Sequence, residues 1–305
     1  MENKTISNLD NIKSVYSIKI IFEHIKKNKY YEIIKYNKKI QNRLNLTVND
    51  YKEYSQIYSS IELELKLVKN TYSNQAFINV TDNNKKYFHI FFNDSNKEVN
   101  LSRLNHEKIE KVKIIIEHRI ISFGYLFLFC NRIEEIYFKK FYRTNIIDMS
   151  SMFSGCASLT TIDMSNLMTN NVTNMQSMFN GCESLKELNL FNYNTNNVTN
   201  MSYMFNRCLS LKELNLENIN TSKVNDMSHM FEEYKSLTNL NVSSFNTDKV
   251  TNMDNMFFGC SNILLDNVKL QNNSFKDINY KKKEKNENNC LIILININIS
   301  KLKSY

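Results

Sequence analysis

Five of the six cysteines of the chain recur at multiples of 26 residues, and they are the side chains best suited to chemistry. Thiolates can bind soft metals, act as nucleophiles and form disulfides. A metal or redox site needs clustered cysteines, however, and no C-x-x-C spacing occurs. Tyr234 stands where the series would have a further cysteine, which favours packing over bonding. We therefore predict a buried column of reduced, inert thiols formed by Cys130, Cys156, Cys182, Cys208 and Cys260.

The remaining reactive side chains predict neither a catalytic nor a metal site. The five histidines are scattered, and none has an evident catalytic partner. The pairs Glu134-Glu135 and Glu232-Glu233 are adjacent in sequence, so they suit solvated faces better than an acid–base dyad. No glycine-rich phosphate-binding loop is present. The sequence therefore predicts a protein that is not an enzyme and that uses no cofactor and no metal.

The cysteine spacing belongs to a 26-residue unit that recurs from Phe123 to Ile263. In five units a methionine comes first, a Met-Phe pair follows three residues later, and a leucine or isoleucine comes three residues after the cysteine position. An earlier, degenerate copy has Phe123 and Leu126-Phe127 at the first two of these positions. Such self-similarity is typical of stacked units that share one core. The opening methionines are Met149, Met175, Met201, Met227 and Met253.

Within each unit, the apolar residues predict a helix followed by a strand. Val198, Met201, Phe205 and Cys208 lie at helical spacing. Residues 211–216 then have the L-x-x-L-x-L pattern of a leucine-rich-repeat strand. The predicted fold class is α/β: a leucine-rich-repeat-like solenoid with one strand and one helix per 26-residue rung, preceded by an N-terminal α+β region.

Three of the four glycines occupy the position just before the cysteine. Gly155, Gly181 and Gly259 share this phase in a chain that otherwise avoids glycine. This pattern predicts a backbone position with left-handed dihedral angles, as at the C-terminus of a helix. Arg207 and Glu233 hold the same position in two other units.

The sequence divides into three predicted regions. Residues 1–104 predict N-terminal helices and a small antiparallel sheet, and residues 105–265 predict the solenoid. Residues 266–305 predict a basic linker and a C-terminal strand or tail, because Asp266 stands where the unit would have a leucine.

The small sheet is predicted from residues that alternate between apolar and polar. Residues 61–67 show this period of two, and residues 76–80 and 87–92 flank a turn-forming stretch that predicts a hairpin. Residues 112–116 predict another strand. We expect this sheet to cap the solenoid, because its first rung would otherwise expose an apolar face.

Charge and hydropathy bear on partners and compartment. The net charge is +8, but residues 123–263 hold ten Lys/Arg against thirteen Asp/Glu. An acidic region does not suit a phosphate backbone, so we expect no nucleic-acid partner. The amino terminus lacks the apolar core of a signal peptide, and no run reaches the roughly 18 apolar residues of a membrane span. These features predict a cytoplasmic monomer without a membrane span.

The repeated motif V-T-N-M-x-x-M-F-x-x-C-x-S-L-K-E-L-N-L-x-x-x-N-T runs from Val172 to Thr195 and again from Val198 to Thr221. It resembles the BspA-like leucine-rich repeats, also called DUF285. Members of that family are typically surface proteins, so the resemblance implies protein binding and adhesion at the cell surface. The compartment therefore stays open between the cytoplasm and the cell surface.

Residues 20–44 are similar to an F-box, a helical motif that binds an adaptor in ubiquitin-ligase substrate receptors. In that interpretation Ile21, Phe22, Ile25 and Ile34 would form an exposed adaptor-binding face. The similarity implies an intracellular substrate receptor or scaffold as an alternative function. Two amphipathic helices that pack on a sheet explain the same residues without an adaptor.

The outward positions of the predicted strands form the candidate binding surface, which we call the ribbon. Rigid rungs would hold these side chains in register, so that a protein partner contacts several rungs at once. Phe191 is its one large apolar residue and a candidate anchor, unless it packs on Tyr193 or a neighbouring rung. The ribbon consists of Lys186, Glu187, Asn189, Phe191, Lys212, Glu213, Asn215, Glu217, Thr238, Asn239 and Asn241.

Overall fold

The computed structural model describes residues 37–45, 47, 59–69, 75–100, 103–104, 109–242, 244–260 and 268–270. The chain divides into two compact units, residues 1–59 and 60–305. In the first unit, helix α1 (Lys38–Arg43) begins after Asn37, whose side-chain oxygen accepts a hydrogen bond from the Ile40 N–H at 3.0 Å. The first predicted N-terminal helix and most of the F-box-like segment lie outside the described residues.

The second unit begins with a six-stranded mixed sheet. In chain order the strands are β1 (Ile61–Leu67), β2 (Gln75–Ala76), β3 (Phe88–Phe92), β4 (Glu98–Val99), β5 (Arg103–Leu104), β6 (Lys111–Ile116), β7 (Ile133–Lys140) and β8 (Thr161–Asp163). The sheet has the strand order β4-β3-β6-β1-β7-β8, and β7–β8 is its one parallel pair. Among the described residues, β2 and β5 pair with each other and lie outside this sheet.

The strand predicted at residues 61–67 is confirmed, because Ile61, Leu63, Leu65 and Leu67 are all buried. The hairpin predicted between residues 76–80 and 87–92 is wrong. Strand β3 pairs with β4 and β6, and β2 pairs with β5. A period of two therefore located the strands predicted at residues 61–67, 87–92 and 112–116, but residues 77–80 form no strand, and the pattern carried no information about which strands pair.

Residues 76–80 have a different role, because Asn79 bonds to the start of the stacked region. Its N–H donates to the Leu126 carbonyl at 2.7 Å. Its side-chain amide donates to the carbonyls of Tyr125 and Leu128 at 3.3 and 2.8 Å. In the next 26-residue unit the equivalents of the Leu126 and Leu128 carbonyls accept N–H groups of the preceding unit, so Asn79 supplies these donors at the first unit.

From Ile121 to Cys260, residues 26 positions apart lie against each other. Isolated parallel bridges connect Ser122, Asp148, Asn174, Asn200, Asp226 and Asn252 in series. We call residues 121–260 the stack. Six phenylalanine rings form a buried column with neighbouring centroids 5.4–5.9 Å apart: Phe127, Phe153, Phe179, Phe205, Phe231 and Phe257.

The predicted helix of each unit is wrong, and a series of turns stands in its place. In residues 151–156, which represent the turn segment of each unit, alternate N–H groups bond back by three residues, as from Met152 to the Met149 carbonyl at 3.3 Å. The other N–H groups bond forward to the next unit, as from Phe153 to Met178 at 3.0 Å. An α-helix would instead bond each N–H within the segment. Helical spacing of apolar residues thus describes the buried face of these turns.

The turn segments need left-handed residues at two positions. Gly155, Gly181 and Gly259 have φ of +69°, +71° and +74°, which confirms the predicted left-handed position, although no helix ends there. A second left-handed position lies four residues earlier in every unit, at Tyr125, Ser151, Ser177, Tyr203, His229 and Asn255.

The strand-plus-helix solenoid is therefore contradicted: the described residues are mostly strands and turns, with one short α-helix and one 3₁₀ helix (Lys85–Tyr87). On the other side of the stack, β9 (Glu213–Asn215), β10 (Asn239–Val242) and β11 (Val268–Leu270) form a three-stranded parallel sheet. Leu240 pairs with Val268, two residues later than a spacing of 26 would give. The break noted at Asp266 is thus a two-residue shift in the strand pairing.

Candidate interaction surface

The ribbon lies on the side of the stack that carries β8, β9 and β10. Strand β8 pairs with β7, and β9 pairs with β10, but residues 187–190 between them form no strand. The Lys186 N–H donates to the Thr160 carbonyl at 3.3 Å, after which the ladder is interrupted. The unit that carries Phe191 therefore interrupts the parallel ladder.

Asparagine side chains fix the end of each strand segment. The Asn189 side-chain oxygen accepts from the Phe191 N–H, and the Asn215 oxygen accepts from the Glu217 N–H, both at 2.9 Å. Asp163 makes the same contact with the Ser165 N–H at 3.0 Å. Asn189 and Asn215 are thus occupied in holding turns that position Phe191 and Glu217.

The structure places nine of the eleven ribbon residues on an exposed surface. Asn241 is half-buried and donates to the Glu217 carboxylate at 2.8 Å. Asn239 lies in β10, and its side chain is outside the described part of the structure. The nine exposed residues are Lys186, Glu187, Asn189, Phe191, Lys212, Glu213, Asn215, Glu217 and Thr238.

Phe191 is the most exposed large apolar side chain among the described residues, with 70% of its surface accessible. It follows Leu190 in a turn that is closed by a hydrogen bond from the Tyr193 N–H to the Leu190 carbonyl at 3.0 Å. Tyr193 is buried, and its hydroxyl contacts the Met164 sulfur at 2.9 Å. The exposure of Phe191 supports its interpretation as an anchor over packing against Tyr193.

The cysteine column is buried and chemically inert. Cys130, Cys156, Cys182, Cys208 and Cys260 are free thiols, as predicted. Four of them donate to a phenylalanine carbonyl of the preceding unit, for example Cys156 to Phe127 at 3.0 Å. Burial raises the pKa of Cys156 to about 12 and also raises the pKa of Cys130, Cys182 and Cys208. Such thiols are poor nucleophiles at neutral pH.

The opposite side of the stack carries exposed aromatic rings that the sequence did not predict. Tyr125 and Phe129 are 56% and 68% exposed, and both have positive φ. The rings of Tyr203 and His229 stack at 4.3 Å, and the His229 Nδ1 lies 2.9 Å from the Glu232 carboxylate. A sequence signal for these outward positions was the mixed residue types at the positions that repeat every 26 residues from Tyr125 and from Phe129. The helical interpretation did not consider these positions as an exposed surface.

No further chemistry emerges from the part of the chain that the structure describes. Within it, no group of three His, Cys, Asp or Glu side chains could hold a metal ion. His89 contacts two carboxylates, with Nδ1 3.0 Å from Glu98 and Nε2 3.2 Å from Glu117. None of the described helices is long and apolar enough to cross a membrane.

A family model described as "Mycoplasma protein of unknown function, DUF285" matches residues 121–215 and 210–289, which together span more than half of the chain. The chain belongs to the DUF285 family. The matched part of this DUF285 protein includes the stack and the entire ribbon. No curated protein and no solved structure matches this DUF285 chain.

Proposed function

We propose that this DUF285 protein is a non-enzymatic binding module that presents the ribbon to a protein partner, in an adhesion or surface-interaction role. The exposure of Phe191 carries the proposal. A phenylalanine with 70% of its surface accessible stands in the ribbon, whereas most of the other phenylalanines among the described residues are buried. Large aromatic side chains of this kind dominate the free energy of protein–protein contacts.

The way in which the ribbon is built supports this role. Asn189 and Asn215 hold neighbouring turns in the same geometry, so Phe191 and Glu217 project from equivalent positions of adjacent units. A partner can therefore contact both side chains without ordering a loop, which lowers the entropic cost of association.

The chemistry of the interior supports a non-catalytic role. The thiols are buried with raised pKa, and His89 and His229 lie beside carboxylates. A protein whose reactive side chains are used in packing is suited to presenting a surface.

The test compares the full chain with a double variant, Phe191→Ala with Glu217→Lys. Each protein is immobilised and incubated with cell extracts and with solubilised surface proteins, and captured proteins are quantified by mass spectrometry. We expect at least one protein that the wild type captures to be reduced by about tenfold or more with the double variant. Far-UV circular dichroism should show the same spectrum for both.

Phe129→Ala is the matched control. Phe129 is 68% exposed but lies on the opposite side of the stack, so its removal changes apolar surface without touching the ribbon. Its capture profile should equal that of the wild type. Equal recovery by the wild type and the double variant would refute the ribbon as the contact surface.

A further inference from the structure

We propose that the middle of the ribbon recognises a protein segment that carries an acidic and a basic side chain beside an apolar one. The recognition surface is a charge block formed by Lys186, Glu187, Lys212 and Glu213. This inference rests on the proposed function, and it specifies the chemistry of the partner.

The block places like charges side by side. Lys186 and Lys212 occupy equivalent positions of adjacent units, and so do Glu187 and Glu213. The same two units hold the rings of Phe179 and Phe205 only 5.9 Å apart. Like charges at equivalent positions of adjacent units repel each other, so this arrangement opposes folding of the free protein.

Elsewhere in residues 60–305, several charged side chains pair with opposite charges. Arg207 lies 3.4 Å from the Glu183 carboxylate in one neighbouring unit and 2.9 Å from the Glu233 carboxylate in the other. Lys113 likewise pairs with Glu62 at 2.9 Å across two strands. Among the residues that the structure describes, by contrast, no side chain of the charge block takes part in an ion pair.

The block is confined to the two units that also carry Phe191 and Glu217. Thr160 and Thr161 stand at the equivalent positions of the preceding unit, and Thr238 and Asn239 stand at those of the following unit. One patch thus combines the four charges of the block, which form no ion pair among the described residues, with the exposed ring of Phe191. The equivalent positions on either side of this patch are neutral. A partner that neutralises the four charges would relieve their repulsion as it binds.

The balance of charges selects the class of partner. The block has two positive and two negative side chains, and Glu217 adds a further negative charge beside it. A polyanion such as a sulfated glycan would be attracted by the lysines and repelled by the glutamates. A protein segment can offer both signs and an apolar side chain for Phe191, so it complements the whole patch.

The first experiment needs no partner. Exchange of two charges, Lys212→Glu with Glu213→Lys, keeps the net charge and places opposite charges in adjacent units. We expect the thermal midpoint of the free variant to rise at low ionic strength, and we expect added salt to stabilise the variant less than it stabilises the wild type. An unchanged or lower midpoint would mean that the block is not repulsive and would overturn the inference.

The second experiment measures binding of a protein that Phe191→Ala with Glu217→Lys fails to capture. We expect the charge-exchange variant to bind that protein about tenfold more weakly at low salt, although it is the more stable protein. Affinity of the wild type should fall as salt rises. Heparin at constant ionic strength should not displace the protein, and displacement would replace the inference with a polyanion site.

The two proposals fail in different ways. If the Phe191 and Glu217 variant retains every partner of the wild type, the ribbon is not the contact surface and both proposals fall. If that variant loses a partner that the charge-exchange variant binds as tightly as the wild type does, the ribbon remains the contact surface and the charge block is refuted.

Discussion

The six-stranded sheet and the turn segments of the stack bury their apolar side chains equally well, but they differ in where their backbone N–H groups bond. In the sheet, β1 bonds to β6 on one edge and to β7 on the other, and its side chains alternate between the two faces. In a turn segment, N–H groups alternate between a carbonyl three residues back and a carbonyl of the next unit. Both regions thus provide hydrogen-bond partners for their backbone N–H groups, but their apolar residues recur with different sequence periods.

This difference shows that the spacing of apolar residues indicates which side chains are buried. It does not by itself indicate which secondary structure those residues form. Met149, Met152, Phe153 and Cys156 are spaced as on one face of a helix, and all four are buried. Half of their N–H groups nevertheless donate to carbonyls of the next unit. A single turn segment should therefore be unstable in isolation, whereas a helix of the same sequence would satisfy its own backbone.

The largest effect should follow from a break in the middle of the stack. Phe205→Ala removes a ring that stacks on Phe179 at 5.9 Å and on Phe231 at 5.8 Å. We expect a loss of about 3–5 kcal/mol in the free energy of unfolding, because the cavity uncovers both neighbours. Urea denaturation measures the loss. Hydrogen exchange should accelerate first at the amides that connect the adjacent units, and an effect below about 1 kcal/mol would contradict stacking as the source of stability.

A smaller loss should follow from a break where the sheet meets the stack. Arg143 is fully buried and donates to the carbonyls of Glu117 and Ile120, and burial lowers its pKa to about 10. Arg143→Met should cost about 2–3 kcal/mol, because it leaves buried carbonyls without this donor. Arg119→Met, at an exposed position nearby, is the control and should change stability by less than about 0.5 kcal/mol. Equal unfolding midpoints in urea for the two variants would show that the junction does not depend on Arg143.

A gain should follow at the irregular position of the thiol column. Tyr234 replaces a cysteine there, and its buried hydroxyl has no hydrogen-bond partner among the described residues. Tyr234→Phe should stabilise the protein by about 1 kcal/mol, because it removes an unsatisfied polar group and keeps the ring. Thermal unfolding measures the gain, and a loss of stability would mean that the hydroxyl is satisfied.

The smallest effect concerns pH dependence in the sheet. Burial alone would lower the pKa of His89, but hydrogen bonds and charges from Glu98 and Glu117 outweigh it and raise the pKa above 6.5. The stabilisation of the fold by protonated His89 is therefore fully present below about pH 6.5. It is lost as the pH rises through the pKa of His89 in the folded state. His89→Gln should remove this dependence, which we expect to be below about 1 kcal/mol because the site is partly exposed. The free energy of unfolding of both proteins, measured between pH 5.5 and about 8.5, tests this prediction. The same pH dependence in both proteins would exclude His89 as the titrating group.

Burial and the special backbone positions could be predicted from the sequence. The thiol column, strand β1 and the left-handed glycine positions are confirmed because each follows from a local constraint on side-chain size or dihedral angle. The helices could not be excluded in this way. Both a helix and a turn segment bury residues at spacings of three and four, and only the partners of the N–H groups distinguish them.

The candidate surface was predictable only as a set of outward positions. The sequence placed Phe191 and Glu217 outside, but it did not show that Asn189 and Asn215 would be used to close the turns beneath them. The interrupted ladder at residues 187–190 was equally hidden, because their pattern matches the unit that forms β9. Pairing between units depends on the fit of several rungs at once, which no single unit encodes.

The central claim, that turn segments stand where helices were predicted, is tested at Ser177. Ser177 has φ +55° and lies in the interior of the predicted helix, four residues before Gly181. The turn structure predicts that Ser177→Gly raises the free energy of unfolding by about 0.5–1 kcal/mol, because glycine adopts left-handed backbone without the steric cost of a Cβ. A helix interior at this position would give the opposite sign, with glycine lowering the free energy of unfolding by about 0.5–1 kcal/mol. A higher urea midpoint for Ser177→Gly would agree with the turn structure, and a lower one would contradict it.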